Sequence, residues 1–182
     1  MFEIDDLSLP WTFERTFDLI HARMVFCCFP DPLHIFKEAF KALAAGGVLE
    51  MQDVIFDFRS PDNSLKDSAI EKWMEKLKKA FESRGIDLTC VLRYKDYLEA
   101  AGFENIQQEE FLWPVGTWLK GKNLENLGRW CQANILDMLH AISIVPLTEY
   151  GPQSMSEEAV YLLLADVRKE LCDTSIHTYL EV

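Results

Sequence analysis

Hydrophobic and polar positions along the chain change period several times. TFDLIHA (residues 16–22) is a compact apolar run of the length of a buried parallel strand. PDPLHIFKEAFKALAAGG follows with helical spacing: Leu33, Phe36, Phe40 and Leu43 share one face, and Lys37, Glu38 and Lys41 the other. Asp31 is placed to cap this helix with Pro32 at its first position, and Gly46-Gly47 to close it. VLEMQDVIF (48–56) returns as one strand. A strand, helix and strand joined this way require a crossover, so the two strands are expected to be parallel and the connection right-handed.

Downstream, a helix is predicted over 66–84, ended by Arg84-Gly85, and a shorter one over about 93–101, ended by Gly102. FENIQQEEFLWPV alternates apolar with polar residues (Phe103, Ile106, Phe111, Trp113), as a strand with one wet face does. Residues 119–145 read as a long helix stopped by Pro146. Ser154 or Ser156 before paired glutamates predicts the start of another helix, running through Val160–Leu171. Residues 176–180 alternate like a strand, and FEI near the start reads as a strand remnant followed by an acidic loop and LPW. There is no internal repeat, low-complexity segment or domain boundary in the 182 residues, which suffice for one domain with a core.

Composition narrows the function classes. With 49% hydrophobic residues the chain folds rather than staying disordered. Its formal net charge of −12 argues against nucleic acid, which needs a basic stripe; KWMEKLKK (72–79) interleaves glutamate with lysine as a solvated helix face does. No apolar run reaches the roughly 18 residues of a membrane span, and the acidic N-terminus lacks the features of a signal peptide. The expected location is cytoplasmic, or nuclear by diffusion. Cys27, Cys28, Cys90, Cys131 and Cys172 lie in apolar sequence without a CxxC pair, so buried reduced thiols are expected.

Ligands of open α/β sheets bind beyond the C-terminal ends of parallel strands. Two groups sit there: Asp5 and Asp6 after FEI, and His21, Ala22 and Arg23 after FDLI. A carboxylate in such a place accepts from a ribose hydroxyl or an adenine amino group, and His with Arg meets a carboxylate or serves as acid and base. The bland alternatives are an acidic turn for Asp5 and Asp6 and a plain ion pair for Arg23. Glu50 and Gln52, two apart on a strand, share one face near the same end. His34, His140 and His177 are isolated, with no metal-ligand spacing, and neither a GxSxG elbow nor an evident Cys–His pair is present. Trp113, Trp118 and Trp130, with Phe111 and Met138, either line a lid over an apolar substrate or form an ordinary helical core.

FDLIHAR, then a helix and LAAGGVLEMQD, resembles the fourth- and fifth-strand motifs of class I S-adenosylmethionine-dependent methyltransferases, and in particular the fungal LaeA-like group. FEIDDLSLPW, AGFENIQQEEFLWPVGTW and VRKELCDTSIHTYLEV resemble other segments of that group in order. The resemblance implies an α/β, Rossmann-like methyltransferase fold, N-terminally truncated, with a helical lid insertion before the last strand. Residues 1–113 would be the late Rossmann strands and helices, 114–173 the helical insertion and 174–182 the start of the last strand. The implied cofactor is S-adenosyl-L-methionine, with Asp5 or Asp6 at its adenine end and His21, Ala22 and Arg23 bordering its methionine end. The implied activity is methyl transfer to a small-molecule acceptor in secondary metabolism. The glycine-rich cofactor loop of the family is absent from these residues. A truncated sheet would expose an apolar edge, available to a protein partner or to a homodimer. Two alternatives stand beside the enzyme: a non-catalytic, regulatory interaction protein, and a cofactor-free cyclase that uses the lid cavity.

Overall fold

The computed structural model describes residues 6–25, 27–151 and 154–182. Strands β1 (Phe17–Arg23) and β2 (Leu43–Gln52) pair in parallel around helix α1 (Pro32–Ala42), as the crossover pattern predicts. Asp31 caps α1, its side chain accepting from His34 N–H at 3.2 Å, with Pro32 in the first turn. The glycine pair, however, does not end the helix. α1 stops at Ala42, and Leu43 is already extended. Phe17 lies opposite Leu43 but Leu19 opposite Val48, so residues 44–47 bulge from the ladder, with Gly46 at φ 83°. Gly47 permits the close return: a Cβ there would stand 3.0 Å from the carbonyl oxygens of Ala44 and Phe17.

The expected single strand at 48–56 is two strands. After β2 the chain bends at Asp53-Val54 into β3 (Ile55–Arg59), which leaves β1 and joins a second sheet. That sheet has the order β3-β5-β4, all antiparallel neighbours, with β4 (Leu112–Val115) and β5 (Thr178–Glu181). Only the last four residues of the alternating FENIQQEEFLWPV segment before Gly116 are strand; residues 103–111 form no ladder of their own. Phe111 and Val182 exchange both backbone hydrogen bonds, which places Pro114 at a non-bonded position with its nitrogen facing outward. Proline is therefore tolerated on this edge strand.

The main core forms between the second sheet and three of the helices. Helix α2 (Ala69–Glu82), capped by Ser68, buries Ile70, Trp73, Met74, Leu77 and Phe81. A 3-10 turn (Cys90–Arg93) leads into α3 (Tyr94–Ala101), closed by Gly102 at φ 103°. Helices α4 (Lys122–Glu149) and α5 (Glu157–Leu171) intervene between β4 and β5 and pack on α2, burying Ile135, Leu139, Val160, Leu164 and Val167. Trp73 is fully buried between Phe56 and Phe58, and its indole N–H donates to Ser143 Oγ at 2.8 Å. Each such side chain contributes about 1.5–3 kcal/mol by leaving water.

Three details depart from the sequence pattern. α4 runs through Pro146 to Glu149 with the proline buried, and the Ser143 and Thr148 hydroxyls donate back to the Leu139 and Ile144 carbonyls. Glu38, assigned to the wet face of α1, is 7% exposed; it accepts from Trp11 N–H at 3.0 Å and Lys41 Nζ at 2.6 Å. Cys90 and Cys131 are buried as expected, but Cys28 and Cys172 are exposed.

Candidate functional site

The C-terminal ends of the parallel pair carry a polar face. Register sets His21 opposite Glu50 and Arg23 opposite Gln52, and strand alternation turns all four side chains to one side, where all four residues are exposed. Their contacts form a short chain. Gln52 Nε2 donates to Glu50 Oε1 at 2.7 Å, and the other Glu50 oxygen lies 3.3 Å from His21 Nδ1. His21 Nε2 makes no hydrogen bond among the described residues, and Arg23 has no acidic partner there. The plain ion pair considered for Arg23 is thus not formed. One step back along the same face, Leu19 and Val48 stand opposite each other, each 56% exposed. Ala22 occupies the other face, half-buried opposite Met51, so only its backbone reaches the polar side.

Asp53 ties the segment after β1 to this rim. It is 6% exposed and accepts from Val25 N–H at 2.6 Å and from the Tyr94 hydroxyl at 2.7 Å. Met24 turns the chain in the left-handed region (φ 57°), its N–H bonding to the Gln52 carbonyl at 2.9 Å. Burial, and then the Asp53 carboxylate, hold the Tyr94 hydroxyl far above its ordinary range, so it stays a donor. In the sequence Asp53 read as the middle of a strand; its role follows from the bend.

Asp5 lies outside the described residues. Asp6 is exposed, and its carboxylate accepts from Ser8 N–H at 3.0 Å and Ser8 Oγ at 2.6 Å, bonds that lower its pKa. This is the geometry of an acidic turn.

A second polar cluster was not legible in the sequence. His177, read there as isolated, lies with Nδ1 2.6 Å from Asp62 Oδ2 and stacks on Trp118 at 4.9 Å. Hydrogen bonds from Ser64 and Ser60, then from His177, hold the Asp62 carboxyl well below the usual carboxylate range. The partners are 115 residues apart, so no local spacing signals them. Trp130 and Phe111, offered as lid residues, are 77% and 56% exposed, whereas Trp118 donates to the Thr178 carbonyl at 3.0 Å. A cavity of about 340 Å³ between the ends of α2 and α4, lined by Lys76, Lys79, Ser83, Pro146 and Tyr150, shares no residue with the strand rim. Among the described residues no helix is long and apolar enough to cross a membrane, and no group of three or more His, Cys, Asp and Glu is placed to hold a metal.

A methyltransferase domain family matches residues 2–108. The chain is 28% identical over 178 residues to a probable methyltransferase, tdiE, of Emericella nidulans, covering 97% of this chain and 55% of that protein. It is 29% identical over 177 residues to the secondary metabolism regulator LAE1 of Cochliobolus heterostrophus, covering 96% and 57%. A protein-methionine methyltransferase, laeA, of Emericella nidulans is 27% identical over 177 residues, covering 96% and 46%. The chain therefore spans about half the length of the curated relatives it matches.

Proposed function

Because the chain belongs to the methyltransferase domain family, we propose that it takes part in S-adenosylmethionine-dependent methyl transfer to a small acceptor in fungal secondary metabolism, in the cytoplasm or nucleus. The observation that carries this reading is the Arg23 guanidinium, without an acidic partner among the described residues, on the same face as His21 and Glu50 at the C-terminal end of a parallel strand pair. In a chain of net charge −12, an exposed cation at that position suits the carboxylate of an amino-acid ligand.

The described residues fit the methionine end of the cofactor. They offer no bare-backbone turn for the nucleoside end, since Gly46 and Gly47 belong to the bulge at the start of β2 and Gly47 is packed against backbone. Arg23 would hold the carboxylate, with the Ala22 backbone and His21 alongside; Asp5 or Asp6 would meet the adenine end. When bound, the cofactor supplies an electrophilic methyl group. This chain's residues bind its amino-acid end and order the acceptor beside it, an effect of proximity and orientation.

The test is a calorimetric titration of the folded 182-residue chain with S-adenosylhomocysteine. Micromolar, stoichiometric binding that Arg23→Ala weakens by about tenfold or more supports the proposal, since one lost charged contact is worth at least that. No heat from a folded chain overturns it. A second reading, a non-catalytic protein that works through a partner or a second copy, is favoured by one observation. Among the described residues β1 has no strand on its outer side, and Phe17 and Leu19 are exposed beside that edge. Sedimentation with and without Leu19→Lys separates the two: a dimer that the substitution dissociates favours the second.

A further inference from the structure

We propose that Glu50, held by Gln52, is a positioning residue that presents His21 Nε2 as a base to an apolar-bodied phenol or enol, which names the acceptor class. The inference rests on the methyl-transfer reading above for its biological meaning, and on the strand face for its chemistry.

Glu50 has two oxygens with two different neighbours: Gln52 Nε2 donates to Oε1 at 2.7 Å, and His21 Nδ1 stands 3.3 Å from Oε2. A carboxylate in contact with Nδ1 selects the tautomer that carries its proton there, and so leaves the Nε2 lone pair outward. That nitrogen meets no other described residue. Glu50 and Arg23 are the charged groups that share this face, and Gln52 completes it.

The same face specifies what lies against the base. Leu19 and Val48 precede His21 and Glu50 by two residues on their strands, which is about 6.5 Å of strand, and both are open to solvent. A flat apolar body resting on that pair reaches His21 with a substituent one ring away. Phenol hydroxyls have ordinary pKa values of about 10, so a base held at the O–H is what the proton transfer requires. The proton passes from the acceptor O–H to Nε2. The oxygen becomes anionic, and the imidazolium is offset by Glu50; the proton then leaves to water.

The experiment uses the full chain and 4-nitrophenol as probe. Long-range proton–nitrogen correlation of the histidine rings, with His21→Gln to assign the signal, is expected to show the Nδ1–H tautomer for neutral His21 and to lose that preference in Glu50→Ala. Bound 4-nitrophenol is expected to show at least a threefold higher phenolate fraction than the free compound at pH 6. Glu50→Gln should keep the tautomer, because an amide oxygen still accepts, but should abolish the phenolate gain. An Nε2–H tautomer in the wild type, or equal phenolate fractions in wild type and Glu50→Gln, overturns the proposal. Homocysteine-cofactor binding without a phenolate response sinks this inference alone; a phenolate response without cofactor binding supports the base and sinks the methyl-transfer reading.

Discussion

Replacing Asp53 with alanine tests whether the bend between the two sheets organises the ligand end. The carboxylate accepts from Val25 N–H at 2.6 Å and from the Tyr94 hydroxyl at 2.7 Å, and its residue is 6% exposed. Hydrogen bonds to a charged acceptor contribute about 1.5–3 kcal/mol each. The Tyr94 hydroxyl, half-buried beneath the segment, would lose its acceptor, whereas Val25 N–H can turn to water. The expected loss is about 3–5 kcal/mol, an unfolding temperature lower by about 6–20 °C for a chain of this length. Tyr94→Phe alone should cost about 1.5 kcal/mol, and the double variant less than the sum by about 1–2 kcal/mol, since the two groups share one bond. Denaturant unfolding of the four proteins measures the cycle. A total loss in Asp53→Ala under about 1 kcal/mol, or coupling under about 0.5 kcal/mol, would refute the reasoning. Because Asp53 holds the segment beyond Arg23, the alanine variant should also weaken S-adenosylhomocysteine binding under conditions where it remains folded.

Gly128→Ala should destabilise by about 3 kcal/mol or more despite alanine's helix preference of about 1 kcal/mol, because a Cβ there would overlap the Gly116 carbonyl oxygen, and calorimetry reads the difference. Thiol titration of the native chain should show Cys28 and Cys172 reacting fast and Cys90 and Cys131 only on unfolding; fast reaction of all five would contradict the packing. Burial raises the Cys90 and Cys131 thiols from an ordinary 9.0 to about 11. The folded chain therefore holds those protons more tightly than the unfolded one, so their contribution is complete below pH 9 and lost as pH rises toward 11. The denaturant midpoint should fall across that window, and a flat profile would contradict it.

Much of the architecture could be read from local pattern. The Asp31-Pro32 start of α1, the Ser156 cap, Gly102 after α3 and the parallel β1–β2 pair all follow from groups within a few residues of one another. The misread places were those decided at long range. Pro146 is buried and stays helical, Glu38 turns inward because Trp11 and Lys41 reach it, and the strand at 48–56 breaks where Asp53 meets Val25 and Tyr94. At the candidate site, alternation placed His21 and Arg23 on one strand and Glu50 and Gln52 on another. Only register reveals that the four form a single row. Asp62 with His177 was beyond reach for the same reason.

Pro114 has a further effect on how copies of this chain can meet. Its nitrogen faces outward from β4 and carries no hydrogen, so that border of the sheet lacks a donor at its middle. The outer border of β1 (Phe17–Arg23) has no proline, so its outward N–H groups, at alternate residues, all remain donors. Among the described residues strand addition is therefore easier at the border of β1 than at that of β4. Two copies that paired through β1 would each still present the stoppered border of β4, which resists further strand addition there.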